Sequence, residues 1–217
     1  MKTLLLAATT AAMMAAPAGA VTIINGSFEQ STNAVAPGAS GFRTLKNGNT
    51  GITGWKVRGN SIDYVGSYWQ AQDGNRSIDL NGTGQGAIEQ MLNGLTIGQT
   101  YEVSFWLAGN PDGGNATKIA VASDGGAFSG VYRFNTTGKS RGAMGWERET
   151  FRFVADGTTA RLSFSSAQPG AYGAALDNVG IAAVPEPATW ALMILGFGAV
   201  GGAMRRRRAT DAIVRLA

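Results

Sequence analysis

The stretch Tyr101-Glu102-Val103-Ser104-Phe105-Trp106-Leu107-Ala108 alternates residue by residue between two characters. Successive side chains of a strand point to opposite faces, so Tyr101, Val103, Phe105 and Leu107 share one face and Glu102, Ser104, Trp106 and Ala108 the other. A period of two sustained over this length predicts a half-buried strand. Outward from it the same period recurs in shorter runs, at Ser61 to Val65, Ser77 to Leu80, Lys118 to Ala122, Val131 to Phe134, Thr150 to Val154, Arg161 to Phe164 and Ala175 to Ile181. Between the runs stand turn pairs such as Asn47-Gly48, Asp73-Gly74, Asn93-Gly94, Asp112-Gly113 and Asp124-Gly125, whose residues tolerate positive φ. No amphipathic helix of ordinary length and no internal repeat interrupts the series. Residues 21–184 therefore read as all-β, an antiparallel sandwich large enough to bury a core without disulfides.

Composition narrows the chemistry. The 217 residues include no Cys and no His, which excludes a Ser-His-Asp or Cys-His nucleophile, a His or Cys zinc site and a disulfide framework. The formal net charge is +4, yet residues 21–184 hold 12 Lys+Arg against 12 Asp+Glu. The excess sits at the ends, in Lys2, Arg205 to Arg208 and Arg215 against Glu186 and Asp211. A neutral body has no electrostatic footprint for nucleic acid and no long-range attraction to polyanions.

The ends read as addresses. Residues 1–20 pass from Lys2 through an apolar stretch to Ala18-Gly19-Ala20, the small-x-small pattern that signal peptidase accepts, and so predict a secretory signal peptide cleaved after Ala20. Residues 188–204 are uncharged and mostly apolar, a length that as a helix spans about 25 Å, at the short limit for a bilayer core. Arg205, Arg206, Arg207 and Arg208 follow at once and would hold the C-terminus in the cytoplasm, leaving residues 209–217 as a short tail there. The series Pro185-Glu186-Pro187, Trp190, apolar run and arginine cluster resembles the PEP-CTERM sorting signal of Gram-negative bacteria. That resemblance implies recognition by an exosortase, cleavage near the tripeptide, transient anchoring in the inner membrane with the body in the periplasm, and transfer to the cell surface or an exopolysaccharide matrix. Glu186 and the arginines are then sorting residues and not catalytic ones.

The body carries a second resemblance. Asn25-Gly26-Ser27-Phe28-Glu29, Gly54-Trp55, Ile62-Asp63-Tyr64-Val65-Gly66 with Tyr68-Trp69, Asp73 to Gly82, Ala108-Gly109-Asn110-Pro111, Gly145-Trp146 and Leu176-Asp177-Asn178-Val179 occur in order. Together they resemble the choice-of-anchor C family, which is similar to galactose-binding-like jelly rolls that include a plant cell-wall domain of uncharacterised function. The resemblance implies a jelly-roll sandwich and supplies no activity.

Two groups of residues are candidates for a site. Asp177 shares a strand face with Val179 and Ile181, so if that face is buried its carboxylate needs a cation or several donors. Glu29 resembles the acidic residue that, in many jelly-roll carbohydrate modules, shares one structural calcium ion with an Asp of the last strand. Asn25, Glu29 and Asp177 could supply part of a shell of six to eight oxygens, with Asp79 a weaker candidate. The alternative is carboxylates satisfied by backbone N–H groups or an arginine. Tyr64, Tyr68, Trp69 and Trp106 are candidates for a sugar platform, since an aromatic ring packs on the apolar face of a pyranose. Trp55 and Trp146 read as core anchors beside glycine turns. The expectation is a module that binds a polysaccharide, neutral or weakly charged, without catalysis. The alternatives are a purely structural surface protein and a glycosidase, which needs only two carboxylates about 5 to 9 Å apart.

Overall fold

The computed structural model describes residues 21–114, 116–125, 129–185, 193–201 and 205. The expectations for residues 1–20 with Ala18 and Ala20, for Glu186, Pro187, Trp190, Arg206, Arg207 and Arg208, and for residues 209–217 lie outside the described residues. Residues 193–201 are helical and exposed, Arg205 likewise. Among the described residues no helix is long and apolar enough to cross a membrane.

Among the described residues eleven strands make up the body: β1 (Phe42–Lys46), β2 (Lys56–Gly59), β3 (Ser61–Val65), β4 (Ser77–Asp79), β5 (Gly86–Asn93), β6 (Thr100–Gly109), β7 (Thr117–Ser123), β8 (Ser129–Asn135), β9 (Glu147–Val154), β10 (Thr159–Ser166) and β11 (Ala174–Ala183). They form two antiparallel sheets, one ordered β1-β3-β4-β11-β6-β9 and the other β2-β5-β10-β7-β8. The fold is the expected all-β jelly-roll sandwich. Its core lies between the sheets, where the inward positions of β6 (Tyr101, Val103, Phe105 and Leu107) are buried as the alternation requires. Phe105 packs edge-on against Phe164 and Tyr132, each at 5.0 Å between ring centroids. Truncating such a ring to alanine costs on the order of 3–5 kcal/mol.

Eight of the strands fall where the sequence puts them, most of them longer by a residue or more. β1, β2 and β5 are additions. β1 and β2 are edge strands and carry Arg43, Lys46, Lys56 and Arg58, charges that mask an apolar period while discouraging edge-to-edge association. In β5 the core-facing Gln90 breaks the apolar face. Its amide accepts the N–H of Ile24 at 2.8 Å and donates to the Ile24 carbonyl at 2.9 Å, so the buried polar group is satisfied by pairing with the N-terminal segment.

β6 and β11 run antiparallel along their length, with Ala174 opposite Gly109 at one end and Ala183 opposite Tyr101 at the other. Beyond β11 the chain stays fastened. The Val184 N–H donates to the Thr100 carbonyl at 2.8 Å, and Gln99 Nε2 donates to the Val184 carbonyl at 2.7 Å. The sandwich thus continues up to Pro185, where the sorting tripeptide begins.

Candidate functional site

Residues directly opposite on neighbouring strands share a face. On the outer face of the six-stranded sheet the register aligns Thr44 with Asp63, Asp63 with Asp79, Asp79 with Ala175, and Ala175 with Ala108. A neighbouring row aligns Phe42 with Val65 and Val65 with Ser77, and farther along it Asp177 with Trp106 and Trp106 with Arg148. Loops close over one end of this face and leave a cavity of about 260 Å³. Phe42, Tyr68, Trp69 and Tyr172 form its aromatic walls, and Thr44, Asp63, Asp79, Thr83 and Asn110 its polar lining. That volume lies just under the range of about 300–1,000 Å³ common for small-molecule sites, which suits one small ring and not a bulky ligand.

Burial raises the carboxyl of Asp79 to about 8, despite three donors that favour its charged form. Those donors are the N–H groups of Asn81 and Gly173 on Oδ1 and Asn110 Nδ2 on Oδ2, at 2.8 to 3.0 Å. Burial also raises Asp63, whose Oδ1 accepts the Thr44 hydroxyl. At the rim Tyr68 donates its hydroxyl to Asp112 at 2.7 Å, and the Arg141 guanidinium lies 3.9 Å over the Tyr68 ring while pairing with Asp112. Burial works against the Asp112 charge, but Tyr68 and Arg141 outweigh it and hold the carboxyl below its ordinary range. Tyr68 is therefore fixed as a wall of the pocket, with one ring face already covered.

A second assembly adjoins the pocket. Asn25 adopts a positive φ of 54° and closes a turn, accepting the Gln30 N–H on its side-chain oxygen and donating Nδ2 to the carbonyls of Gln30 and Thr53. The turn sends Phe28 into the core against Trp55 and aims Glu29 at the loop after Trp69. Glu29 Oε1 accepts the N–H groups of Asn75 and Arg76, each at 2.7 Å. From the other side Asp177 Oδ2 accepts those of Gln72 and Asp73 at 2.8 and 3.0 Å, and Oδ1 that of Asn178 at 2.7 Å. The register shifts at this point of β11, with Asn178 at positive φ, and the bulge is what turns Asp177 toward the loop. Burial raises Asp177 to about 7 against these three bonds. Three sequence motifs that lie far apart in the chain are thus one fastening.

Several expectations need correction. Glu29 and Asp177 do converge on one loop, as acceptors of its backbone N–H groups, whereas Asn25 bonds Gln30 and Thr53 instead. Their oxygens face N–H donors, the wrong polarity for a cation, and among the described residues no three Asp or Glu side chains stand close enough to hold a metal ion. A calcium ion shared by Asn25, Glu29 and Asp177 would have to displace these N–H donors. Asp79 belongs to the pocket, not to this assembly. Tyr64 is no platform: it is fully buried, and its hydroxyl donates to the Phe28 carbonyl at 2.6 Å. Trp69 does line the pocket but is only 5% exposed, with its indole N–H donated to Ser77. Trp106 is half-buried on the same outer face, outside the pocket's lining. Trp55 is a core anchor as expected, whereas Trp146 sits half-buried at the core's edge and donates to the Gln70 carbonyl. Phe42, Thr44, Asp63 and Tyr172 are site residues that the sequence reading did not single out as ligands.

The profile of a family described as a protein of unknown function, DUF642, matches residues 21–182. The chain belongs to the DUF642 family. A PEP-CTERM protein-sorting motif matches residues 183–208 and marks this DUF642 protein for export and sorting. The body is 36% identical over 167 residues to Halomucin of Haloquadratum walsbyi, covering 75% of this chain and 2% of that protein. It is 29% identical over 147 residues to the Arabidopsis thaliana protein DUF642 L-galactono-1,4-lactone-responsive gene 2, covering 65% of this chain and 38% of that one. The DUF642 chain therefore spans well under half of either relative. Among solved structures it is similar to TmCBM61 in complex with β-1,4-galactotriose (TM-score 0.43, 18% identity, 74% of this chain and 96% of that one). It is similar also to the CBM22-1 xylan-binding domain of Paenibacillus barcinonensis Xyn10C (TM-score 0.45, 16% identity, 79% and 99%).

Proposed function

We propose that this chain is a surface or matrix protein, exported through a leader ending at Ala20, anchored for a time by residues 188–204 and processed by an exosortase near Pro185-Glu186-Pro187, whose sandwich binds a polysaccharide without cleaving it. The choice-of-anchor C resemblance of the body motifs is in keeping with an interchangeable anchor at this position. One observation carries the binding reading: aromatic walls and a hydrogen-bonding floor meet in a single pocket, the two chemistries that the C–H face and the hydroxyls of a sugar require. Trp69 also borders a larger, more polar depression of about 750 Å³ lined by Glu29, Gln70, Gln72, Asn75 and Arg76 among others, which favours a polymer over a free monosaccharide.

The facing carboxylates Asp63 and Asp79 are the observation that keeps hydrolysis in view. Asp79 is 1% exposed and its two oxygens take three donors, so it is held within the protein and not poised over a glycosidic oxygen. The test is a glycan array on the full chain in mild detergent, read for both retention and new reducing ends. Retention without release, lost in Tyr172→Ala, is expected. Release that stops in Asp63→Asn would establish a glycosidase instead, and neither signal on any glycan would leave a purely structural protein. Sorting is tested in the native host, where replacing Pro185, Glu186 and Pro187 by alanine should retain a larger form at the inner membrane; unchanged size and location would refute it.

A further inference from the structure

The pocket on the outer face of the six-stranded sheet is lopsided in its hydrogen-bonding capacity. Most of its side-chain donors are engaged inside the protein: the Thr44 hydroxyl on Asp63, the Tyr68 hydroxyl on Asp112, the Thr83 hydroxyl on Asn60, the Trp69 indole on Ser77 and one Asn110 amide proton on Asp79, which leaves the Tyr172 hydroxyl and the second Asn110 proton. Its acceptors are not all engaged. Asp63 is half-buried, and its Oδ2 carries no hydrogen bond among the described residues. No Lys or Arg belongs to the lining. Arg141 pairs with Asp112 over the Tyr68 ring, and Lys118 donates to the Tyr172 carbonyl at 3.0 Å while its charge acts on Asp79 and Asp112, not on Asp63.

We infer that Asp63 is the specificity-determining residue of this pocket, which takes sugars that bring hydroxyl donors to it and rejects sugars that bear an acid group. The inference rests on the carbohydrate reading above and deepens it. A hydroxyl can donate to Asp63 Oδ2. A uronate carboxylate placed there meets a like charge in a half-desolvated site whose lining holds no Lys or Arg, and the repulsion between the two carboxylates disfavours it strongly. The neutrality of the whole body would leave acidic glycans merely unattracted; Asp63 makes the pocket discriminate at contact distance.

The experiment compares matched oligosaccharides on the full chain in mild detergent, a neutral galactose series and its galacturonate counterpart, together with the same comparison on arrays of glucose and glucuronate. The neutral member should bind at least tenfold more tightly, and in Asp63→Asn that ratio should fall severalfold through a gain on the acidic member. Equal or tighter binding of the uronates by the wild-type chain overturns the inference while leaving the carbohydrate reading intact, as does an unchanged ratio in a folded Asp63→Asn. If that variant does not fold, the wild-type ratio decides alone. Failure to bind any member of either series overturns the carbohydrate reading, and this inference with it.

Discussion

Asp177 and Glu29 hold the two halves of one loop, Asp177 through the N–H groups of Gln72 and Asp73 and Glu29 through those of Asn75 and Arg76. The loop leads from the pocket wall at Trp69 back into β4, so the pocket's shape depends on a pair of carboxylates that do not line it together. Leaving buried donors without an acceptor costs roughly 1–3 kcal/mol each. Asp177→Ala should therefore destabilise the body by about 3 kcal/mol in a denaturant titration, and Asp177→Asn by less. A change under ~1 kcal/mol for the alanine variant would show the loop to be fastened by something else.

The same geometry bears on calcium. A bound ion at a hundredfold excess over its dissociation constant adds about 2.7 kcal/mol and raises a melting curve by several degrees. Because the amide protons of residues 72, 73, 75 and 76 point at the two carboxylates, calcium added to metal-stripped protein should leave the melting temperature unchanged. A rise of several degrees that vanishes in Asp177→Ala would restore the calcium shell of Asn25, Glu29 and Asp177.

Gly26 has no room for a side chain: an added Cβ meets the Val179 carbonyl oxygen, whose residue in turn donates its N–H to the Gly26 carbonyl at 2.9 Å. Gly26→Ala must break this contact between the N-terminal turn and the bulge of β11. We expect a loss of about 2–4 kcal/mol, of the size seen for overpacking in a closed site. Gly48→Ala, in open space at a positive φ of 84°, should cost about 1 kcal/mol through backbone strain alone. Equal effects of the two would argue against the contact.

Stability should fall as pH rises. Burial lifts the carboxyls of Asp79 to about 8 and of Asp177 to about 7, while an unfolded Asp titrates near ~4. Between these limits the folded chain binds more protons than the unfolded one, so the stabilisation is complete below about pH 4 and is lost as pH climbs through the folded values. The melting temperature should drop by several degrees from pH 5 to pH 8, with a shallower slope in Asp79→Asn. A flat or rising profile in the wild-type chain would contradict this.

Pocket aromatics should separate into two kinds. Trp69→Ala removes a ring that is buried and hydrogen-bonded to Ser77, so it should cost about 3–5 kcal/mol and abolish glycan retention only because the wall collapses. Tyr172→Ala removes a ring that is 45% exposed. It should keep the melting temperature within a few degrees while weakening retention at least tenfold, as measured by calorimetry beside the glycan array.

How much of this was legible follows from where each residue stands. In Ser61 to Val65 the alternation already assigns Tyr64 to the face of Ile62 and Asp63 to the other, so the core role of Tyr64 and the outward position of Asp63 are both local information. The strand at Tyr101 to Ala108 is legible for the same reason. Trp69 is different: it lies in an irregular segment with no period, and nothing near it in sequence announces that Ser77 accepts its indole proton. Tyr172 is further still from legibility. It meets Phe42 and Asp63 at one pocket only because β11 lies beside β4 and β4 beside β3, an order fixed by packing across the whole sheet. The motifs at Asn25 to Glu29 and Asp177 to Val179 were visible as motifs, but their shared partner was hidden, since backbone N–H groups leave no mark in a sequence.

The fastening of Val184 to Thr100 and Gln99 sets the distance from Pro185 to the pocket. β6 has ten residues, about 33 Å at ~3.3 Å per residue, and it leads from the level of the tail at Thr100 to the pocket at Asn110. No slack separates the end of the sandwich from Pro185. The pocket therefore lies about the length of β6 away from the point where the sandwich hands over to Pro185. The last residue before the sorting tripeptide is thus tied to the strand that ends at the pocket, and replacing Gln99 would loosen that tie without touching a single residue of the pocket.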